Sequence, residues 1–142
     1  MPVTPTTTKD ALQRLHRAYV EKLPQEVNAV AQQWLEAVTE AYFDQELLHK
    51  VHLAVHSLSG SAATYNLPRT SEAFARMEEI LEHIAERGHP TPEERETTEA
   101  LLATLKVMAR AAVHHLPPLE EDTASDAAPV GRAGLLALYN EP

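Results

Sequence analysis

The sequence predicts an all-α fold: an up-down antiparallel four-helix bundle with one additional helix at the N-terminus. Apolar residues recur every three or four positions over long segments, which is the spacing of one face of a helix. Strand-favouring runs of aromatic and β-branched residues are scarce, and the chain holds only 4 glycines. The connectors between the periodic segments are short, and short connectors favour antiparallel neighbours.

The first two helices are predicted to meet at Pro24. The first spans about Asp10 to Leu23, and the second begins at Pro24 because a proline loses nothing at the first helical position. The second helix is expected to end before Asp44. The two apolar stripes are Leu12, Leu15, Tyr19 and Leu23, and then Val27, Val30, Ala31, Trp34, Val38, Ala41 and Tyr42.

The other three helices have recognisable start and stop signals. Asp44 is expected to cap the third helix, which reaches about Tyr65. Pro68 marks the start of the fourth helix, and Gly88 is placed to end it. The segment Thr91-Pro92-Glu93-Glu94 has the composition of a capping box, so it is expected to start the fifth helix.

Composition divides the chain into four parts and excludes several classes of protein. Residues 1–9 are predicted to be a tail, 10–116 the helical bundle, 117–133 an acidic linker rich in Pro and Ala, and 134–142 a short apolar tail. A net charge of −9 without a basic patch argues against nucleic acid as a partner. The absence of cysteine excludes disulfides and thiolate sites. Without a signal peptide or an apolar run of about 20 residues, we expect a cytoplasmic protein that does not bind membranes.

The third predicted helix carries an unusual polar face. Its apolar residues crowd one arc, and His56 lies roughly 140° from the centre of that arc, so it should face solvent. Beside it we expect His49, His52, Leu53, Ser59, Gly60 and Ala63. A glycine inside a helix costs up to about 1 kcal/mol. We interpret Gly60 as keeping the approach to the His56 ring open, the alternative being close helix packing. An exposed neutral imidazole is a competent nucleophile near neutral pH.

The segment His56-Ser57-Leu58-Ser59-Gly60-Ser61-Ala62 resembles the signature of histidine phosphotransfer (Hpt) domains, the modules of multistep phosphorelays. The similarity continues without gaps through Ala63 to Pro68. It then extends into Glu72 to Glu78, where the family usually carries small and apolar positions followed by a leucine–glutamate pair. In all, the similarity covers roughly Leu12 to Leu116.

The resemblance implies that His56 is the phosphoacceptor, surrounded by His52, Ser59, Gly60 and Ala63. Docking of a partner would involve Leu53 and His49. It also implies a phosphocarrier rather than an enzyme, without a cofactor of its own, because the partner receiver domain supplies the aspartate and the Mg²⁺. The expected partners are a response-regulator receiver and a sensor histidine kinase, and the isolated domain is expected to be a monomer.

Two positions depart from the family pattern. Many members have a lysine where Ser59 stands, which would place a cation near the phosphate. Asn66 replaces a frequent glycine at the helix end, and asparagine tolerates the left-handed conformation better than most residues.

Two other functions and one further resemblance stay open. His49, His52 and His56 have the spacing of a shared helix face, but that face holds no carboxylate, so no metal site is predicted. A bundle of this kind could also dock a partner without phosphorylation. The segment Leu135 to Pro142 resembles the opening strand of a receiver domain, with Tyr139 and Asn140 in place of the acidic pair; the alternative is an unstructured tail.

Overall fold

Four helices form a closed ring of contacts in the computed structural model, which describes residues 5–39 and 43–117. The helices are α1 (Pro5–Ala37), α2 (Gln45–Thr64), α3 (Pro68–Arg87) and α4 (Pro92–His114), and the described ranges contain no strand. Helix α1 packs on α2 and α4, and α3 packs on the same two helices from the other side. The described residues exclude 118–133 of the predicted linker, the predicted apolar tail, and Ala41 and Tyr42.

Neighbouring helices run antiparallel, as contacts at the two ends of the bundle show. Tyr19 stacks on Tyr65 with ring centroids 4.6 Å apart, whereas the N–H of Asp44 donates to the carbonyl of Ala37 at 2.9 Å. A residue in the first half of α1 therefore meets the C-terminal end of α2, and the end of α1 meets the start of α2. Contacts between the other helix pairs run in the same opposed order. The all-helical bundle is confirmed.

The separate N-terminal helix is not confirmed, because α1 passes through Pro24 without a break. A proline inside a helix costs about 3 kcal/mol in lost hydrogen bonding and ring clash. However, Val20, Leu23 and Val27 are almost fully buried on either side of it, and burial of each side chain is worth about 1.5–3 kcal/mol. Leu23 is in phase with the apolar stripe after Pro24, so one continuous helix buries them together, whereas Leu12 and Leu15 of the predicted first stripe stay 61% and 54% exposed. The predicted boundary at Pro24 is wrong for this reason.

The sequence signals at the ends of α2, α3 and α4 are confirmed. Asp44 caps α2 by accepting a hydrogen bond from the N–H of Leu47 at 3.1 Å. Thr91 and Glu94 form a reciprocal capping box at the start of α4. Gly88 ends α3 in the left-handed region with φ 98°, and Asn66 adopts φ 64° in the connector after α2.

The core determines which faces α2 and α3 leave outside. Helix α2 buries Leu48, Val51, Val55, Leu58 and Ala62. Helix α3 buries Thr70, Ala73, Phe74, Met77, Leu81 and Ile84. These stripes leave a polar strip along the seam between the two helices, and that strip contains the candidate site.

Candidate functional site

Helix α2 presents the ring of His56 to solvent. Its neighbours Val55 and Leu58 are buried, and this orients the helix so that the His56 side chain is 73% exposed. Within the described residues, the Nε2 atom of His56 has no hydrogen-bond partner. The ring is therefore open to a large partner on the side of Nε2.

The other ring nitrogen is held by a carboxylate from α3. Oε2 of Glu78 lies 2.6 Å from Nδ1 of His56, and the Glu78 side chain is only 20% exposed. An ionised carboxylate can only accept a hydrogen bond, so Nδ1 carries the hydrogen in this arrangement. In the neutral ring the lone pair then resides on Nε2. Glu78 therefore fixes both the tautomer and the orientation of the exposed ring.

Sequence reasoning did not assign this role to Glu78. In the sequence, Glu78 is only the last residue of the stretch that resembles the family. Its signal was available, since Met77 and Glu78 stand where the family usually carries a leucine–glutamate pair. What the sequence lacked was the register of α3 against α2, which brings Glu78 opposite His56.

His52 lies one turn before His56 but packs toward α3. Its side chain is 26% exposed, and its Nε2 lies 3.7 Å from Oε2 of Glu78 and 3.8 Å from Oε2 of Glu82. These separations are too long for hydrogen bonds. The Nε2 atom is buried and has no hydrogen-bond partner among the described residues.

Ser59 is used in contact between helices. Its hydroxyl donates to the carbonyl of Ser71 at 3.3 Å, and the hydroxyl of Ser71 donates to the carbonyl of Ser59 at 2.9 Å. This reciprocal pair joins α2 to α3 one turn beyond His56. The position where many family members have lysine is therefore occupied by a hydroxyl that already has a partner.

The remaining predicted site residues form an open surface around the ring. An ideal Cβ placed on Gly60 would meet nothing within 4 Å, so the space above this residue is empty. Ala63 is exposed one turn further on, at the edge of a shallow groove of about 380 Å³ between the end of α2 and the start of α3. Leu53 is 55% exposed, and His49 is exposed as well. Gly60, Ala63 and Leu53 thus place small or apolar groups on the solvent side of α2 near His56.

Comparisons with known proteins point to one family. Searches of curated proteins and of solved structures give no significant match. In the ranges that the structure describes, no helix has the length and apolar character needed to cross a membrane. The family model for the Hpt domain matches residues 11–112, which covers most of the chain and all of α2, α3 and the His56–Glu78 pair. The chain therefore belongs to the Hpt domain family, the phosphotransfer modules of two-component signalling.

Proposed function

We propose that His56 accepts a phosphoryl group from an aspartyl phosphate of a receiver domain and donates it to another receiver aspartate. The observation that carries this proposal is the His56–Glu78 pair, in which a 73% exposed ring is held through Nδ1 and leaves Nε2 open. Membership of the Hpt family supports the same chemistry. A sensor histidine kinase is the other donor that this proposal allows.

The transfer balances without an additional proton acceptor. The Nε2 lone pair of His56 attacks phosphorus, an N–P bond forms, and the P–O bond to the aspartate breaks with its electron pair returning to the carboxylate. The phosphorylated ring keeps its Nδ1 hydrogen and gains positive charge, which the carboxylate of Glu78 at 2.6 Å stabilises. Attack by a second aspartate reverses these steps.

The chain acts in this proposal as a carrier rather than a catalyst. In-line attack and neutralisation of the phosphoryl charge are most of what phosphoryl transfer requires. The receiver supplies the metal ion and the aspartate. The chain supplies an oriented nucleophile and a surface on which the receiver docks.

That docking surface consists of Leu53, His49, Gly60 and Ala63, all exposed around the ring. An exposed leucine beside a reactive group provides a small apolar anchor, which suits a transient interface. The open space above Gly60 lets the receiver bring its aspartate to Nε2.

One observation favours a second candidate, a docking module that is not phosphorylated. Position 59 is a serine and therefore offers no cation to the phosphate. Its hydroxyl already donates a hydrogen bond to the carbonyl of Ser71. A module without phosphohistidine would still use the same surface to bind a receiver. The two functions differ in whether His56 ever carries a phosphoryl group.

The test is intact-mass analysis of the full chain after incubation with a phosphorylated receiver or a small-molecule phosphodonor. We expect one added phosphoryl group that is lost in acid. His56→Gln should abolish the labelling, whereas His114→Gln, a matched change at an exposed histidine of α4 outside the docking surface, should retain it. Labelling of His56→Gln at the wild-type level would refute the assignment, and absence of labelling in the wild type would favour the docking module.

A further inference from the structure

A cluster of three possible ligands lies directly beside the phosphoacceptor. His52 comes from α2, and Glu78 and Glu82 come from successive turns of α3. One ligand atom from each residue lies within 4.8 Å of the others, and Nε2 of His52 is 3.7 and 3.8 Å from the two carboxylates. In a tetrahedral zinc site with bonds of about 2.0–2.2 Å, neighbouring ligand atoms are separated by about 3.4 Å. Small side-chain movements would bring the three atoms to that spacing.

The surroundings of the His52 ring favour a bound cation between these residues. Its Nε2 is buried, faces the two carboxylates and has no hydrogen-bond partner within the described part of the chain. A buried polar atom without a partner costs about 1–3 kcal/mol. A bound cation would satisfy the imidazole lone pair and both carboxylates together.

We propose that His52, Glu78 and Glu82 bind a divalent transition-metal ion, with Zn²⁺ as the best fit. One imidazole nitrogen and two carboxylate oxygens are ligands that zinc accepts, and a fourth position would be left for water. The histidines of α2 alone predict no metal site, because their face of the helix lacks carboxylates. The carboxylates are instead contributed by α3, and His52 is the histidine of α2 that faces both of them.

One oxygen atom of Glu78 belongs both to the proposed metal site and to the hydrogen bond that holds His56. Oε2 of Glu78 is 2.6 Å from Nδ1 of His56 and 3.7 Å from Nε2 of His52. A metal ion bound to this oxygen neutralises its charge and weakens its hydrogen bond to His56. The phosphorylated ring would then lose the negative charge that stabilises it. Metal binding therefore slows phosphorylation of His56. This coupling rests on the proposed function, whereas the binding of the metal ion does not.

Binding is tested by calorimetric titration of the tag-free full chain with ZnCl₂. We expect one zinc ion per chain and a rise in melting temperature, because a ligand of the folded state stabilises it. His52→Gln and Glu82→Gln should each weaken binding at least tenfold. Glu79→Gln and His49→Gln, which remove a carboxylate and an imidazole at exposed positions, should bind as the wild type does. Equal affinity in Glu82→Gln and Glu79→Gln, or no binding at all, would overturn the site.

The coupling is tested separately with a small-molecule phosphodonor, which avoids the receiver and its own metal. For each protein the rate of His56 labelling with saturating ZnCl₂ is divided by the rate without it. We expect a ratio of about one fifth for wild type and a ratio near one for Glu82→Gln. A fivefold slowing is equivalent to about 1 kcal/mol, the expected effect of weakening one charge-assisted hydrogen bond. A ratio near one for wild type would refute the coupling. If His56 is not labelled even without zinc, the proposed function fails, while calorimetry still decides the metal site.

Discussion

Replacement of Gly60 by leucine should stabilise the bundle and impair phosphoryl transfer from a receiver. An ideal Cβ at Gly60 meets nothing within 4 Å, so a side chain can start there without a clash at its first carbon. Leucine is a better helix former than glycine by about 0.5–1 kcal/mol. For a domain of this size, that gain corresponds to a rise of about 2–6 °C in melting temperature.

The same side chain should obstruct the receiver. Gly60 lies one turn from His56 on the exposed face of α2, so an isobutyl group there would stand inside the docking interface. Insertion of such a group into a packed contact costs about 1–3 kcal/mol, which corresponds to a rate reduced from about fivefold to more than a hundredfold. Labelling by a small-molecule phosphodonor should change much less, because the small donor needs little clearance.

The assay combines thermal unfolding with the two phosphorylation rates, and Ala103→Leu is the control. Ala103 is an exposed residue of α4, which lies diagonally across the bundle from α2. This control should leave both rates unchanged. A destabilised Gly60→Leu variant that transfers phosphate at the normal rate would refute the clearance argument and favour a packing role for the glycine.

Three further predictions concern other residues around the bundle. Leu53→Glu should leave the fold intact and slow transfer from a receiver, because apolar contact is lost and the new charge is repelled by an acidic pocket of the partner. Labelling by a small donor should change little, and equal effects on both rates would contradict the prediction. Glu78→Gln keeps an acceptor for Nδ1 of His56 but removes the charge, so labelling by a small donor should slow about fivefold; an unchanged rate would show that the carboxylate is not needed. The hydrogen bond from Arg87 lowers the pKa of Glu94 from 4.5 to about 2, with a contribution from the N–H of Thr91. The Arg87–Glu94 interaction therefore stabilises the folded state fully above pH 4.5, and this contribution is lost as the pH falls towards 2. Urea unfolding should show Glu94→Gln less stable by about 1 kcal/mol at pH 7, with the difference vanishing near pH 2.

The boundaries of α2, α3 and α4 could be predicted because their signals are local. The caps at Asp44 and Thr91 and the left-handed residue Gly88 each depend on a few neighbouring residues. The error at Pro24 has the opposite origin. A local rule places a proline at a helix start, but the burial of Val20, Leu23 and Val27 against the rest of the bundle outweighs that preference. Tertiary packing decides this boundary, and a single sequence does not display it.

The exposure of His56 followed from the apolar stripe of α2, whereas its partners depend on the contact between α2 and α3. Helical periodicity on α2 gives the direction of each side chain around one helix. It does not say that His52 and Ser59 point toward α3, or that Ser71, Glu78 and Glu82 meet them there. The missed residues all belong to α3, which carries no histidine motif of its own.

The register of α3 against α2 accounts for all of these contacts at once. Ser59 pairs with Ser71, His56 with Glu78, and His52 lies between Glu78 and Glu82, so each step toward the start of α2 is matched by a step along α3. The buried stripes of both helices fix this alignment. A shift of α3 by one helical turn would bring either Phe74 or Glu82 to the level of His56. A shift by one turn toward Phe74 would leave Nδ1 without a carboxylate, and a shift toward Glu82 would retain one. Core variants that shift α3 by one turn toward Phe74 should therefore slow the labelling of His56 by a small-molecule phosphodonor and leave its exposure unchanged.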